Sequence, residues 1–179
     1  NVFVPLDYII GGKERIGKGW QMLVECLAAG RGVSLPAVSA ATGKHCFRTT
    51  GAYAKLRRQF GLSIGKFEGV AAAMARIGGY TYMLEATRVL TLGAIDQNHK
   101  PSVITAICKY HMTEMARQII NDAMDIHGGR GIIMGPRNYL ARMYEATPVG
   151  ITVEGANILT RCLIIYGQGA IRCHPYVLK

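Results

Sequence analysis

Phe67-Glu68-Gly69-Val70-Ala71-Ala72-Ala73-Met74-Ala75-Arg76-Ile77-Gly78-Gly79-Tyr80-Thr81-Tyr82-Met83-Leu84 sets the fold class. Its Phe67, Val70, Met74, Ile77 and Leu84 recur at helical spacing and predict a long helix ending near Asn98. Upstream, Gly61-Leu62-Ser63-Ile64-Gly65 reads as a turn. A helix before it runs to about Phe60, with Ser34 as its cap and Pro36 in its first turn. A shorter helix from Trp20 to about Arg31 precedes that one, and Gly32 and Pro36 separate the two.

Downstream, Lys100-Pro101-Ser102 opens a helix carrying Ile104, Ile107, Met115 and Ile119, which stops at His127-Gly128-Gly129. A short helix follows Pro136, Pro148 and Gly150 break it, and a last helix runs from about Val153 to Tyr166. Three long amphipathic helices and a shorter one, joined by short loops, predict an all-α chain folded as an antiparallel four-helix bundle. Residues 2–5 read as a short strand. The glycines after it (Gly11, Gly12, Gly17, Gly19) are too irregularly spaced for a dinucleotide fingerprint.

The 179 residues suffice for one domain with a sizeable core, and half are apolar, which excludes disorder. No unbroken apolar run reaches about 18 residues, so no transmembrane span is expected. A net charge of +10 favours an anionic partner, either a phosphate-rich cofactor or an anionic membrane surface. Nucleic acid is disfavoured, because the basic residues are scattered and only Arg57-Arg58 are adjacent. Five cysteines without a CxxC or a histidine at zinc-ligand spacing point to packing roles, a reducing compartment and no metal site.

Glu154 is the only acid in the run Ile151-Thr152-Val153-Glu154-Gly155-Ala156-Asn157-Ile158-Leu159-Thr160-Arg161. Such a carboxylate is either an acid at a helix start, suited to the macrodipole, or a group kept from water to act as a general base. Asp122 and Asp125 lie three apart near a helix end, and His127 adjoins the glycines as a cap, a packing group or a catalyst. Gly128-Gly129-Arg130-Gly131 either admits a pyrophosphate close to the backbone or only stops a helix. Arg57-Arg58-Gln59-Phe60-Gly61 either complements a helix dipole or pairs phosphate beside an aromatic ring.

In this order, Gly17-Lys18-Gly19-Trp20, Arg31, Arg57 to Gly61, Gly128 to Gly131 and Glu154-Gly155 resemble the C-terminal part of an acyl-CoA dehydrogenase. The resemblance covers nearly the whole chain. Residues 1–19 look like the exit from that family's middle β-domain, and residues 20–179 look like its helical C-terminal domain. The run Ile151 to Arg161 and the ending Gly167 to Pro175 look most like the bacterial FadE-type enzymes. Both ends of the chain are expected to continue in the intact protein.

The resemblance implies FAD as cofactor and oxidation of a fatty acyl-CoA to trans-2-enoyl-CoA in β-oxidation. Glu154 matches the base that removes the α-proton. Arg57 and Phe60 match positions that reach the FAD of a neighbouring subunit, and Asp125, Gly128 and Gly129 match the loop at its dinucleotide part. Arg31 and Gly155 match substrate-binding positions. The same likeness implies an electron-transfer flavoprotein or similar acceptor, a homodimer or homotetramer, and a cytoplasmic protein, with peripheral contact at the inner membrane allowed by its charge. Two departures stand out: Ala156 replaces the threonine many relatives carry after Glu-Gly, and Asp125 replaces their glutamine. A reading of another class is a basic helical bundle without activity that docks on a membrane or an acidic partner, with Glu154 structural.

Overall fold

The computed structural model describes residues 1–99, 102–171 and 174–177. It contains α1 (Gly19–Leu56), a hairpin of β1 (Arg58–Gln59) and β2 (Leu62–Ser63), then α2 (Glu68–Asp96) and α3 (Ser102–His127). The single turn α4 (Gly129–Ile132), α5 (Ala141–Thr152) and the short α6 (Asn157–Leu159) follow, and α6 runs on as π-helical turns over Thr160–Ala170.

The central element is α3. It packs along α1 and α2, and also against α5 and the π-helical segment. Thr105, Lys109, Met112, Ala116, Ile119 and Ala123 recur at three- and four-residue spacing on α3, and all are buried. Met112, Ile119 and Ile120 join Cys46 of α1, Ile77 and Leu84 of α2, and Leu140 in one apolar core. Glycines let the helices approach closely: a Cβ on Gly32 would lie 2.6 Å from Thr105 Cγ2, and one on Gly43 would lie 2.9 Å from Thr81 Oγ1. The helical bundle predicted from the sequence is therefore present.

Several boundaries differ. The two helices expected on either side of Gly32 and Pro36 are one, because α1 passes through Pro36 without a break. Proline removes one backbone donor, but α2 and α3 pack on α1, whose buried positions among the described residues begin at Arg31, and Gly32 serves close packing on α3. Likewise α5 continues through Pro148 and Gly150 to Thr152. The expected last helix begins at Asn157 rather than Val153, since the chain turns at Glu154. The Gly61–Gly65 turn is a two-strand antiparallel hairpin pairing Arg58 with Ser63 and Gln59 with Leu62. Residues 2–5 form no strand here. Val2 and Phe3 are exposed, and no described element pairs with them to satisfy their backbone groups. Lys100, Pro101 and Cys173 lie outside the described residues.

Two stretches, Gly19–Leu56 and Ala141–Gly167, match a membrane span in length, with mean hydropathy of 1.2 and 1.3. The first carries buried Arg31 and the second is broken at Glu154, and both pack on α3. Among the described residues the cysteines Cys26, Cys46, Cys108 and Cys162 are free. Burial pushes the Cys46 thiol up to about 12, which makes it a packing group.

Candidate active site

The turn that carries Glu154 follows the C-terminus of α5. Glu154 has φ +54° and Gly155 has φ +88°, two successive left-handed residues. Glycine adopts this conformation freely, whereas glutamate is strained in it by about 1–2 kcal/mol. Strain of this kind persists only where surrounding contacts fix it.

Those contacts come from α3. Lys109 is 0% exposed, and its Nζ donates to Gly155 O at 2.8 Å, Ile151 O at 3.2 Å and Asn157 Oδ1 at 2.5 Å. Asn157 Nδ2 in turn donates to Glu114 Oε1 at 2.8 Å and to Thr113 Oγ1 at 3.0 Å. Thr160 Oγ1 donates to Gly155 O at 3.0 Å. Burial, and then the positive charge of Arg31, pull the Lys109 ammonium down to about 8 against the opposing pull of Glu154 and Glu114.

The half-buried Glu154 side chain reaches toward α1. A Cβ on Gly30 would stand 3.0 Å from Glu154 Oε1, so the carboxylate fills the space that glycine leaves. Next to Gly30 in the chain lies Arg31, 2% exposed, whose Nε and Nη1 have no hydrogen-bond partner among the described residues. Burial lowers its pKa, and the charge of Glu154 acts against that shift. Glu154 Oε2 is likewise buried and has no hydrogen-bond partner among the described residues. An unpartnered carboxylate oxygen on a fixed turn is equipped to accept a proton.

The remaining predicted residues gather at the other end of the bundle. Tyr53 stacks on His127 with ring centroids 4.2 Å apart, so the C-terminal ends of α1 and α3 meet there. Arg57 caps α1 and is exposed. Phe60 sits at the hairpin tip with φ +52° and 92% exposure, edge-on to Phe67 at 6.2 Å. Gly128 has φ +53°, and a Cβ on it or on Gly129 would meet nothing within 4 Å. Asp125 is exposed, while Asp122 is buried and accepts both Nε and Nη2 of Arg76. His127 is buried between Ala123 O and the Tyr139 hydroxyl, each at 2.8 Å, and is a packing residue.

The structure thus brings Arg31, Glu154 and Gly155 together and separates them from Arg57, Phe60, Asp125, Gly128 and Gly129. Arg31 and Arg57 are 26 residues apart on one helix, which is about 39 Å. For a dinucleotide the second group fits: exposed guanidiniums at Arg57, Arg58 and Arg130, an exposed ring, and glycine backbone open to close approach. Sequence reasoning missed Lys109, Thr160 and the part Asn157 plays in holding the turn. The signal for Lys109 was its place at core spacing between Thr105 and Met112.

The family profile described as Acyl-CoA dehydrogenase, C-terminal domain, matches residues 17–167. The chain belongs to the acyl-CoA dehydrogenase family. Over 173 residues it is 31% identical to the probable acyl-CoA dehydrogenase FadE10 of Mycobacterium tuberculosis, which covers 91% of this chain and 26% of that one. A shorter stretch of 52 residues is 54% identical to Protein HemX of Proteus mirabilis, covering 29% of this chain and 31% of that protein. The crystal structure of an acyl-CoA dehydrogenase from Geobacillus kaustophilus superposes with a TM-score of 0.78 at 25% identity, over 85% of this chain and 39% of that one. The match thus spans 26% of FadE10 and 39% of the Geobacillus enzyme, well under half the length of either.

Proposed function

We propose that this chain is the C-terminal part of a flavin-dependent acyl-CoA dehydrogenase, with residues 1–19 leading out of a β-domain and residues 20–179 forming the helical domain. The substrate is a fatty acyl-CoA and the product its trans-2-enoyl-CoA, as in β-oxidation. One observation carries this reading: Glu154 is held at positive φ on a fixed turn, with one carboxylate oxygen buried and unpartnered.

The α-proton of a thioester is a poor acid, so the base must be placed in contact with it. Glu154 accepts that proton. Arg31, buried beside it with two unpartnered nitrogens, supplies positive charge next to the carboxylate and donors for a polar group of the substrate. Gly155 lets the backbone come close to the bound thioester. FAD, when bound, supplies the acceptor for the hydride that leaves Cβ. Arg57 and Phe60 would hold it from the hairpin, together with Gly128, Gly129 and the neighbouring Asp125. The separation of about 39 Å along α1 supports a flavin site shared between two subunits, and hence a homodimer or homotetramer. Reoxidation then requires an electron-transfer flavoprotein or a similar acceptor. We place the protein in the cytoplasm, with its positive charge available for a peripheral membrane contact.

The test is anaerobic mixing of the full-length protein with palmitoyl-CoA. Loss of flavin colour with formation of trans-2-enoyl-CoA is the expected result. A full-length protein that binds no flavin would overturn the enzyme reading in favour of a docking module.

A further inference from the structure

Glu154 owes its position to contacts from another helix. The two carbonyls that Lys109 holds, Ile151 O and Gly155 O, lie on either side of Glu154 in the chain. Ile151 belongs to the last turn of α5, where carbonyls have no partner within the helix and a cation is favourable. The third acceptor, Asn157 Oδ1, fixes the start of α6 and is itself locked to Thr113 and Glu114 of α3. One buried ammonium therefore ties together the end of one helix, the turn and the start of the next.

We propose that Lys109 is a positioning residue for the Glu154 base, with Thr160 as its auxiliary on Gly155 O. Among the described residues Lys109 makes no hydrogen bond to the carboxylate, which it feels only through charge. It acts by holding Glu154 in a strained conformation that the local sequence would not keep. The proposal rests on the reading of Glu154 as the base.

The experiment measures steady-state turnover over a range of palmitoyl-CoA concentrations in the full-length protein, giving kcat and KM for Lys109→Met, Glu154→Gln and the double variant. A base displaced by about 1 Å loses roughly a hundredfold in rate. Lys109→Met is therefore expected to lower kcat about a hundredfold with KM changed less than threefold. If Lys109 works only through Glu154, the double variant is no slower than Glu154→Gln alone. A folded Lys109→Met with kcat within threefold of wild type would overturn the proposal, and so would losses that multiply in the double variant. Wild-type activity in Glu154→Gln would instead sink the base assignment on which it rests. Should Lys109→Met not fold, the isosteric Thr160→Val probes the same carbonyl. A severalfold fall in kcat at unchanged melting supports the proposal, and an unchanged kcat contradicts it.

Discussion

Gly30 of α1 and Glu154 of the α5–α6 turn stand so close that a Cβ on residue 30 would lie 3.0 Å from Glu154 Oε1. Gly30→Ala must therefore push the carboxylate aside by a few tenths of an ångström. Alanine also raises helix propensity by about 1 kcal/mol over glycine in a helix interior. The variant is expected to melt no lower than wild type and to turn over at least severalfold more slowly. Melting curves and steady-state kinetics on the full-length protein check both arms.

Lys109 gives the fold a signature in alkali. Its folded pKa is about 8, against an ordinary 10.5, so between these values the unfolded chain binds the extra proton. Stability then rises with pH across that window through this group, and below it the contribution is constant. The difference in unfolding free energy between wild type and Lys109→Met should move in favour of wild type from pH 8 to 10. A difference that stays flat or moves the other way contradicts the burial of a charged amine.

His127 sets the opposite end of the pH range. Burial lowers its pKa below the ordinary 6.5, with Arg130 adding to the shift and the bond to Ala123 O opposing it. The stability from its neutral form is present above pH 6.5 and is lost as pH falls. Wild type should therefore lose more stability than His127→Leu between pH 6.5 and 5. Tyr139→Phe, which removes the hydroxyl at His127 Nε2, should cost about 1 kcal/mol at pH 7 in denaturant unfolding.

The hairpin tip separates cofactor retention from folding. Phe60→Gly relieves a left-handed residue at a gain of about 1 kcal/mol, and it loses an edge-on ring contact with Phe67 of similar size. Melting of the bundle should move little while flavin retention by the full-length protein falls. Retained flavin in both Phe60→Gly and Arg57→Ala would remove the hairpin from the cofactor site.

The sequence was legible where one helical period ran without conflict. Ile77 and Leu84 of α2 and Ile119 of α3 marked the buried faces, and both helices lie where that spacing put them. It misled where a local breaker met strong tertiary packing. Pro36 and Pro148 sit inside helices because α3 and its neighbours hold both elements. Glu154-Gly155 drew notice as a motif, but its reading as a helix start hid the strained turn. Lys109 was passed over because a lysine reads as solvated, although its spacing from Met112 and Ala116 placed it on the core face.

The most direct measurement is the reductive half-reaction of Glu154→Gln, followed as flavin absorbance after anaerobic mixing with palmitoyl-CoA. Glutamine keeps the shape of the side chain and cannot accept the α-proton. Unchanged flavin binding with bleaching slowed by at least about 10³-fold, within the range that placement and proton transfer supply together, is predicted. Bleaching at the wild-type rate would contradict the account.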